Sequence, residues 1–119
     1  MRAEMRRELD RLLEGIGVMR GSREILPSRR ANTTFELECN ALRYSCSFSC
    51  FADGRLAELF LQNHKAGSQA DANARDSAVA ASLALQFGCP IETLRNGTAS
   101  TPLGCALDLI ATFKDKDHA

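Results

Sequence analysis

The sequence predicts an α+β fold, a three-stranded antiparallel β-meander with one face covered by C-terminal helices, preceded by an N-terminal amphipathic helix. Two patterns support this prediction. Between residues 33 and 62, apolar and polar residues alternate with the two-residue period of half-buried strands. After residue 69 the apolar period lengthens to that of helices, and Gly and Pro mark the ends of three helical segments.

The size and composition are those of one ordinary globular domain. The chain has 119 residues, of which 45% are hydrophobic and 25% are charged, enough to bury one modest core. The formal net charge is zero, although residues 1–30 hold eight Arg against five acidic residues. This local excess suits an encounter with an acidic partner, but it is too small to indicate nucleic-acid binding.

The N-terminal part is predicted to be a helix followed by an arm. Apolar residues recur there at steps of four and three, as in an amphipathic helix: Met5, Leu9, Leu12 and Ile16. Residues 17–32 lack apolar periodicity and are rich in Gly, Ser and Arg, so we expect a linker or a draped arm. We therefore divide the chain into an arm at 1–32 and an α+β domain at 33–115. The helix is interpreted equally well as a docking element or as a solvated helix with internal ion pairs.

The sequence lacks the unbroken apolar run that a membrane span or a secretory signal requires. We therefore expect a cytoplasmic protein without a membrane partner, whose five Cys are reduced thiols packed as small apolar residues. Cys46 and Cys50 would project from one strand face about 13 Å apart, too far for a shared zinc ion or a disulfide. Core packing is also the expectation for Cys89 and Cys105.

Two hairpins are predicted to connect the strands. A tight turn at Asn40 and Ala41 predicts three pairs: Cys39 with Leu42, Leu37 with Tyr44, and Phe35 with Cys46. Asp53 and Gly54 predict a two-residue turn for the second hairpin. Its expected pairs are Cys50 with Ala57, Phe48 with Leu59, and Cys46 with Leu61.

Three helices are predicted after the sheet. The first, at residues 70–87, is Ala-rich, and its buried face is predicted to carry four residues: Ala72, Val79, Leu83 and Phe87. Gly88 is expected to end this helix, and Pro90 to begin a short one that stops at residues 96–97. Thr101 is the expected N-cap of the last helix. Its predicted buried stripe comprises Leu103, Ala106, Leu107 and Ile110.

The connection after the third strand is the strongest candidate for a binding site. Gly67 and Ser68 stand between a strand and a helix, where free backbone N–H groups can hold a phosphate or a carboxylate. With Lys65 and Arg75 they predict a site for an anionic small molecule such as a nucleotide. Capping of the helix by Ser68 or Asp71 explains the same residues without a ligand. The loop also lacks the Gly-Lys-Ser/Thr sequence of a P-loop.

Catalysis has weaker support. A small enzyme acting through His64 and Lys65, with a carboxylate such as Asp71 or Asp76, is an alternative, but no sequence spacing places these groups together. The sequence also lacks the CxxC and HxH patterns of metal ligands and any cofactor fingerprint. We therefore predict no catalytic residue, no metal site and no cofactor.

Three stretches carry a resemblance to a known family: FADGRLAELFLQ, HKAGSQADANARDSAVAASLALQFGCPIETL and STPLGCALDLIA. Together they resemble the TSCPD domain, which is found at the C-terminal end of adenosylcobalamin-dependent (class II) ribonucleotide reductases and as short stand-alone proteins. The resemblance covers roughly residues 30–112. The family takes its name from a Thr-Ser-Cys-Pro-Asp sequence. At the corresponding position, residues 99–103 are Ala-Ser-Thr-Pro-Leu, so this chain keeps only the Ser and the Pro.

This resemblance implies a stand-alone accessory or regulatory binding module associated with class II ribonucleotide reductase and deoxyribonucleotide supply. It implies the reductase or another protein as a partner. The large barrel for radical chemistry and the C-terminal Cys pair that passes electrons to it have no counterpart here, so catalysis by this chain alone is not expected. A self-associating interaction module without a nucleotide ligand, forming a homodimer, is the alternative.

Overall fold

The computed structural model describes residues 21–117. Three strands, β1 (Thr33–Cys39), β2 (Leu42–Cys50) and β3 (Leu56–Asn63), precede three helices, α1 (Gln69–Gln86), α2 (Ile91–Gly97) and α3 (Pro102–Asp117). The helices pack against an antiparallel sheet of order β1-β2-β3, which confirms the predicted α+β class. The predicted N-terminal helix lies outside the described residues. Within residues 21–117, no helix combines the length and apolar character needed to cross a bilayer.

The first hairpin has the predicted turn and register. Asn40 and Ala41 have φ angles of 54° and 67°, and positive φ at both central residues is what a type I′ turn requires. All three predicted pairs are present: Cys39 with Leu42, Leu37 with Tyr44, and Phe35 with Cys46.

The second hairpin turns through three residues rather than the predicted two. The Phe51 N–H donates to the Arg55 carbonyl oxygen (2.8 Å), and the Gly54 N–H donates to the Phe51 carbonyl oxygen (2.9 Å). Gly54 has a φ of 94°, the left-handed conformation that closes such a loop. Asp53 stabilises the loop because its Oδ1 accepts a hydrogen bond from the Arg55 N–H at 3.1 Å.

The longer loop changes one predicted pair. Cys50 pairs with Leu56, not with Ala57, so that prediction is wrong. A register shift between Ser49 and Cys50 leaves Ala57 as an extra residue on β3, which is a β-bulge. Beyond the bulge the predicted pairs are confirmed: Phe48 with Leu59 and Cys46 with Leu61.

The end of α1 and the start of α3 agree with prediction. The Cys89 N–H donates to the Ala84 carbonyl oxygen (2.9 Å) and the Gly88 N–H donates to that of Leu85 (3.0 Å), the two bonds of a Schellman motif. At α3, Thr101 Oγ1 accepts from a backbone N–H, so Thr101 is the N-cap. The predicted α3 stripe is buried: Leu103, Ala106, Leu107 and Ile110.

The face of α1 that contacts the sheet is not the predicted one. Val79 is 54% exposed and Leu83 is 40% exposed, while Ala72 is exposed and Phe87 is only partly buried. The buried apolar residues are Ala74, Ala78, Ala81 and Leu85. Small alanine side chains let the helix backbone approach the sheet closely.

Polar side chains on this buried face bind the backbone of β3, an edge strand. Ser82 Oγ accepts a hydrogen bond from the Leu59 N–H (2.9 Å). Gln86 Nε2 donates to the Ala57 carbonyl oxygen at 3.1 Å. Asp71 Oδ1 accepts from the Asn63 N–H at 3.0 Å. α1 therefore covers an edge whose backbone groups would otherwise be open to another strand.

Residues 21–32 contact the same region of the domain. The Glu24 N–H donates to the Gln86 carbonyl oxygen (2.8 Å), and the Arg23 side chain donates to the Gln86 side chain. Arg55 forms an ion pair with Glu24 (2.8 Å). Residues 21–32 of the arm therefore lie across the C-terminal end of α1 near the second hairpin.

Candidate functional site

The loop between β3 and α1 is closed by its own hydrogen bonds. The Lys65 N–H donates to Asn63 Oδ1 at 2.8 Å. Ser68 Oγ donates to the Lys65 carbonyl oxygen at 2.7 Å and accepts from the Asp71 N–H at 3.1 Å. Gly67, with a φ of 78°, supplies the left-handed residue that the turn needs. Ser68 is thus the N-cap of α1, the capping role considered from the sequence.

A carboxylate from within the chain occupies the centre of this loop. Asp71 is 4% exposed, and its Oδ2 accepts from the Gly67 N–H (3.3 Å) and from Arg75 Nε (3.0 Å). Its Oδ1 accepts from the Asn63 N–H (3.0 Å). The hydrogen bond from Arg75 is the largest cause that lowers the pKa of Asp71 below its usual value; the two backbone N–H groups lower it further and burial opposes them.

The structure brings the predicted binding residues together around Asp71. Gly67 and Arg75 contact its carboxylate, Ser68 contacts its backbone, and Lys65 joins the network through its own backbone groups. An external anion would have to compete with the Asp71 carboxylate for the Gly67 N–H and the Arg75 guanidinium. Binding of an anion by these four residues stays a prediction.

A second polar cluster, formed by Glu36, Ser45 and His64, lies on the open face of the sheet. His64 Nε2 is 2.6 Å from Glu36 Oε2 and 3.2 Å from Ser45 Oγ. Ser45 Oγ also lies 2.9 Å from Glu36 Oε1. The His64 and Glu36 side chains are 44% and 57% exposed. No spacing in the sequence places a carboxylate beside His64, and in the structure that carboxylate is Glu36 rather than Asp71 or Asp76.

The predicted strand register was sufficient to infer this Glu36–Ser45–His64 cluster. Pairing Phe35 with Cys46 also places Glu36 opposite Ser45. The ladder then continues past β3, where the His64 N–H donates to the Arg43 carbonyl oxygen at 3.0 Å. Extending the predicted register three residues beyond the pair of Cys46 with Leu61 would therefore have brought His64 to this cluster.

The geometry differs from that of a nucleophilic triad. In a triad, the base contacts the nucleophile and the orienting acid through different ring nitrogens. Here Glu36 and Ser45 both approach Nε2 of His64. The hydrogen bond from Ser45 is the largest cause that lowers the pKa of Glu36, followed by that from His64. A carboxylate stabilised in its ionised form is a weak base, so the arrangement suits the binding of a polar group better than activation of Ser45.

A cavity of about 370 Å³ opens between α1 and the start of α3. Buried Tyr44 contributes to its lining, and the neutral side chains of Asn73, Ser77 and Thr98 supply polar atoms. None of the predicted binding residues in the β3–α1 loop lines this cavity. A neutral, mainly apolar lining does not match the chemistry of a phosphate site.

Among the described residues, no three His, Cys, Asp or Glu side chains form a group that could hold a metal ion. Among the described ion pairs, Arg30 Nε lies 2.6 Å from Glu58 Oε1 on β3, and the Glu58 side chain is only 11% exposed.

The chain is similar in sequence to two ribonucleotide reductases. It is 34% identical over 84 residues to the vitamin B12-dependent ribonucleotide reductase of Bradyrhizobium diazoefficiens. It is 37% identical over 70 residues to the vitamin B12-dependent ribonucleotide reductase of Agrobacterium fabrum. The chain is related to the class II ribonucleotide reductases. The similarity to these reductases inferred from its motifs is therefore confirmed.

The relationship covers a small part of each class II reductase. The matches span 71% and 59% of this chain but only 7% and 6% of the two reductases. No family model matches the chain. No solved structure matches it either. The class II reductases thus provide a relative for more than half of this chain, whereas the matched segment is a small part of each reductase.

Proposed function

We propose that this chain is a TSCPD-like binding module that acts as an accessory or regulatory partner of class II ribonucleotide reductase, and so serves deoxyribonucleotide supply. The observation that carries this proposal is the match to a short segment of two vitamin B12-dependent reductases. In those proteins the matching segment is part of the reductase chain itself. A surface that contacts a reductase is therefore the expected property of this module, together with a cytoplasmic location.

The hydrogen bonds of the domain support binding rather than catalysis. Asp71, Ser82 and Gln86 are buried polar residues of the kind that often serve chemistry, yet each is engaged with the backbone of β3. The exposed Glu36–Ser45–His64 cluster lacks the geometry of a triad. These polar groups hold the edge of the sheet or present hydrogen-bonding atoms to the surface.

The outer face of α1 is the surface that we propose for the reductase. It carries Val79 at 54% exposure and Leu83 at 40% exposure, one turn apart on the same side of the helix. The opposite face is fixed to β3, so α1 offers these side chains on a rigid element. Apolar side chains that a partner removes from water are the usual source of affinity at an interface.

The test is isothermal titration calorimetry, in which the full chain is titrated into the vitamin B12-dependent reductase of the organism that the chain comes from. We expect saturable binding that Leu83→Glu weakens by about tenfold or more, the effect of losing one well-buried contact. Leu109→Glu is the matched control, because Leu109 is 38% exposed on a different helix. Equal weakening by both variants would overturn the assignment to α1, and no binding by the wild type would overturn the proposal itself.

An anionic small molecule at Lys65, Gly67, Ser68 and Arg75 is a second proposal. The Arg75 side chain is 52% exposed, so its remaining N–H groups can reach a ligand while Nε holds Asp71. A thermal-shift screen with nucleotides and inorganic phosphate tests it. A ligand that raises the melting temperature of the wild type but not of Lys65→Ala supports the site, and the absence of any shift contradicts it.

The alternatives of a homodimer and of an enzyme at His64 and Lys65 are tested by the same samples. A self-associating module would show twice the monomer mass in sedimentation velocity without the reductase. An enzyme would bring His64 and Glu36 into contact with a substrate, and Glu36→Gln would then abolish turnover.

A further inference from the structure

Two cysteines that are distant in the sequence lie together in the fold. Cys39 Sγ at the end of β1 is 2.6 Å from Cys105 Sγ on α3. Cys39 is 6% exposed and Cys105 is partly exposed. From the sequence both were expected to be separate core thiols, and their contact was not predicted.

The backbone on each side fixes the positions of these two cysteines. Cys39 immediately precedes the type I′ turn, and Asn40 Nδ2 of that turn donates to the Ser100 carbonyl oxygen at 3.4 Å. Cys105 lies in the first turns of α3, where its N–H donates to the Thr101 carbonyl oxygen at 2.9 Å. The contact therefore joins two well-defined elements rather than two loop tips.

Other cysteines of the domain have different surroundings. Cys46 Sγ approaches the Ser47 carbonyl oxygen (3.9 Å) and Cys89 Sγ approaches that of Pro90 (3.7 Å). Within the described residues, the sulfur–sulfur contact is therefore particular to Cys39 and Cys105.

We propose that Cys39 and Cys105 form a reversible dithiol–disulfide site that exchanges with low-molecular-weight disulfides of the glutathione class. Exchange is thiolate attack on a sulfur–sulfur bond, so it needs one accessible sulfur and a second thiol within reach of the first. Cys105 is the partly exposed residue of the pair, and buried Cys39 supplies the thiol beside it. This site is independent of reductase binding.

Glutathione disulfide is the oxidant in this reaction. The Cys105 thiolate attacks one glutathione sulfur, the disulfide bond of glutathione breaks, and one glutathione leaves as a thiol after taking up a proton. The Cys39 sulfur, which gives up its proton, then attacks Cys105 Sγ and displaces the second glutathione, which takes up a proton as it leaves. The two protein thiols lose two electrons in total, and the glutathione disulfide gains them.

The environment of Cys39 agrees with this order of events. Burial is the largest cause that raises the pKa of the Cys39 thiol, and with the hydrogen bond and charge of neighbouring Cys105 it brings that pKa to about 11. Cys39 is therefore a protonated thiol at neutral pH and a poor first nucleophile. It reacts in the second step, when its neighbour already carries the leaving group.

The wild-type full chain provides the decisive experiment, because trypsin separates the two cysteines cleanly. Residues 31–43 contain Cys39 as their single cysteine, and residues 96–114 contain Cys105 as theirs. The protein is incubated with glutathione buffers of increasing disulfide content, alkylated and digested. We expect a peptide linking 31–43 to 96–114 that becomes the main form of both segments at high disulfide content and disappears with dithiothreitol.

Variants test which cysteine reacts first. Cys39→Ser should accumulate a glutathione adduct on Cys105, and Cys105→Ser should show a several-fold slower adduct on Cys39. Cys89→Ser is the control and should form the linked peptide like the wild type. Failure of the wild type to link 31–43 with 96–114, or a linkage to residues 44–55 or 76–95 instead, would overturn the proposal whether or not the variants fold.

Discussion

Ser82 of α1 holds the Leu59 peptide of β3 through a single hydroxyl group. Its Oγ lies 2.9 Å from the Leu59 nitrogen and 3.0 Å from the Leu59 carbonyl oxygen, and 2.8 Å from the Ala78 carbonyl oxygen. A helix side chain thus takes the place that a fourth strand would have at this point of the sheet. The covered edge explains why a small three-stranded sheet needs polar residues on the buried side of α1.

Ser82→Ala should lower the free energy of unfolding by about 1 to 3 kcal/mol, because it leaves a buried Leu59 N–H without its acceptor. Urea denaturation followed by circular dichroism measures this change. Ser77→Ala is the matched control on the same helix. Ser77 Oγ donates only to the carbonyl oxygen of Ala74, within the helix, so its loss should cost within about 0.5 kcal/mol. Equal effects of the two substitutions would contradict the role given to Ser82.

Gly104→Ala should destabilise the domain by about 1 to 3 kcal/mol or more, because a Cβ atom at Gly104 would overlap the Thr98 carbonyl group. Gly97→Ala is the control. A Cβ atom at Gly97 meets nothing within 4 Å, so alanine there should be neutral or stabilising by up to about 1 kcal/mol. Thermal unfolding of both variants tests the close approach of α2 and α3, and a stable Gly104→Ala protein would disprove it.

Ala41→Gly should stabilise the protein by about 1 kcal/mol, because Ala41 holds a φ of 67° that glycine adopts without strain. Ala52→Gly, in the second turn, should give no such gain because Ala52 is not among the residues with positive φ. Chemical denaturation of both variants makes the comparison. A loss of stability on Ala41→Gly would show that the type I′ turn does not form in solution.

Asp71 should make the stability of the domain depend on pH in the acidic range. Its folded pKa lies below the value of about 3.9 typical of an unfolded Asp. The stability that it contributes is therefore present above the unfolded pKa and is lost as pH falls through the folded pKa. We expect the stabilities of wild type and Asp71→Asn to differ most near neutral pH and to converge as the pH falls through the folded pKa of Asp71.

Unfolding titrations at several pH values measure this convergence. Asp76→Asn is the control because Asp76 is an exposed residue of the same helix. If Asp76→Asn reproduced the pH dependence of Asp71→Asn, the carboxylate network of the β3–α1 loop would not be its source.

The strand register could be predicted because it depends on neighbours in the sequence. Alternating apolar residues and the Asn40–Ala41 turn fix every predicted pair of the first hairpin. The pair of Cys50 with Ala57 was wrong because Gly54 closes a three-residue loop, and the bulge at Ala57 then restores the register. Asp53-Gly54 marks the turn correctly but does not specify its length.

The face of α1 could not be read from hydrophobicity alone. Alanine occurs all around the helix, so Val79 and Leu83 dominated the predicted apolar face although they are exposed. The true face is selected by backbone contacts of Ser82 and Gln86 with β3, which depend on tertiary structure. The Cys39–Cys105 contact joins residues 66 positions apart, so no local pattern reports it.

Calorimetric titration of the wild-type chain into the vitamin B12-dependent ribonucleotide reductase of its own organism tests whether the reductase is its partner. The proposal predicts saturable binding that Leu83→Glu weakens and Leu109→Glu leaves unchanged. Absence of binding, with the folded chain and the reductase sedimenting as separate species, would contradict a role as a reductase partner.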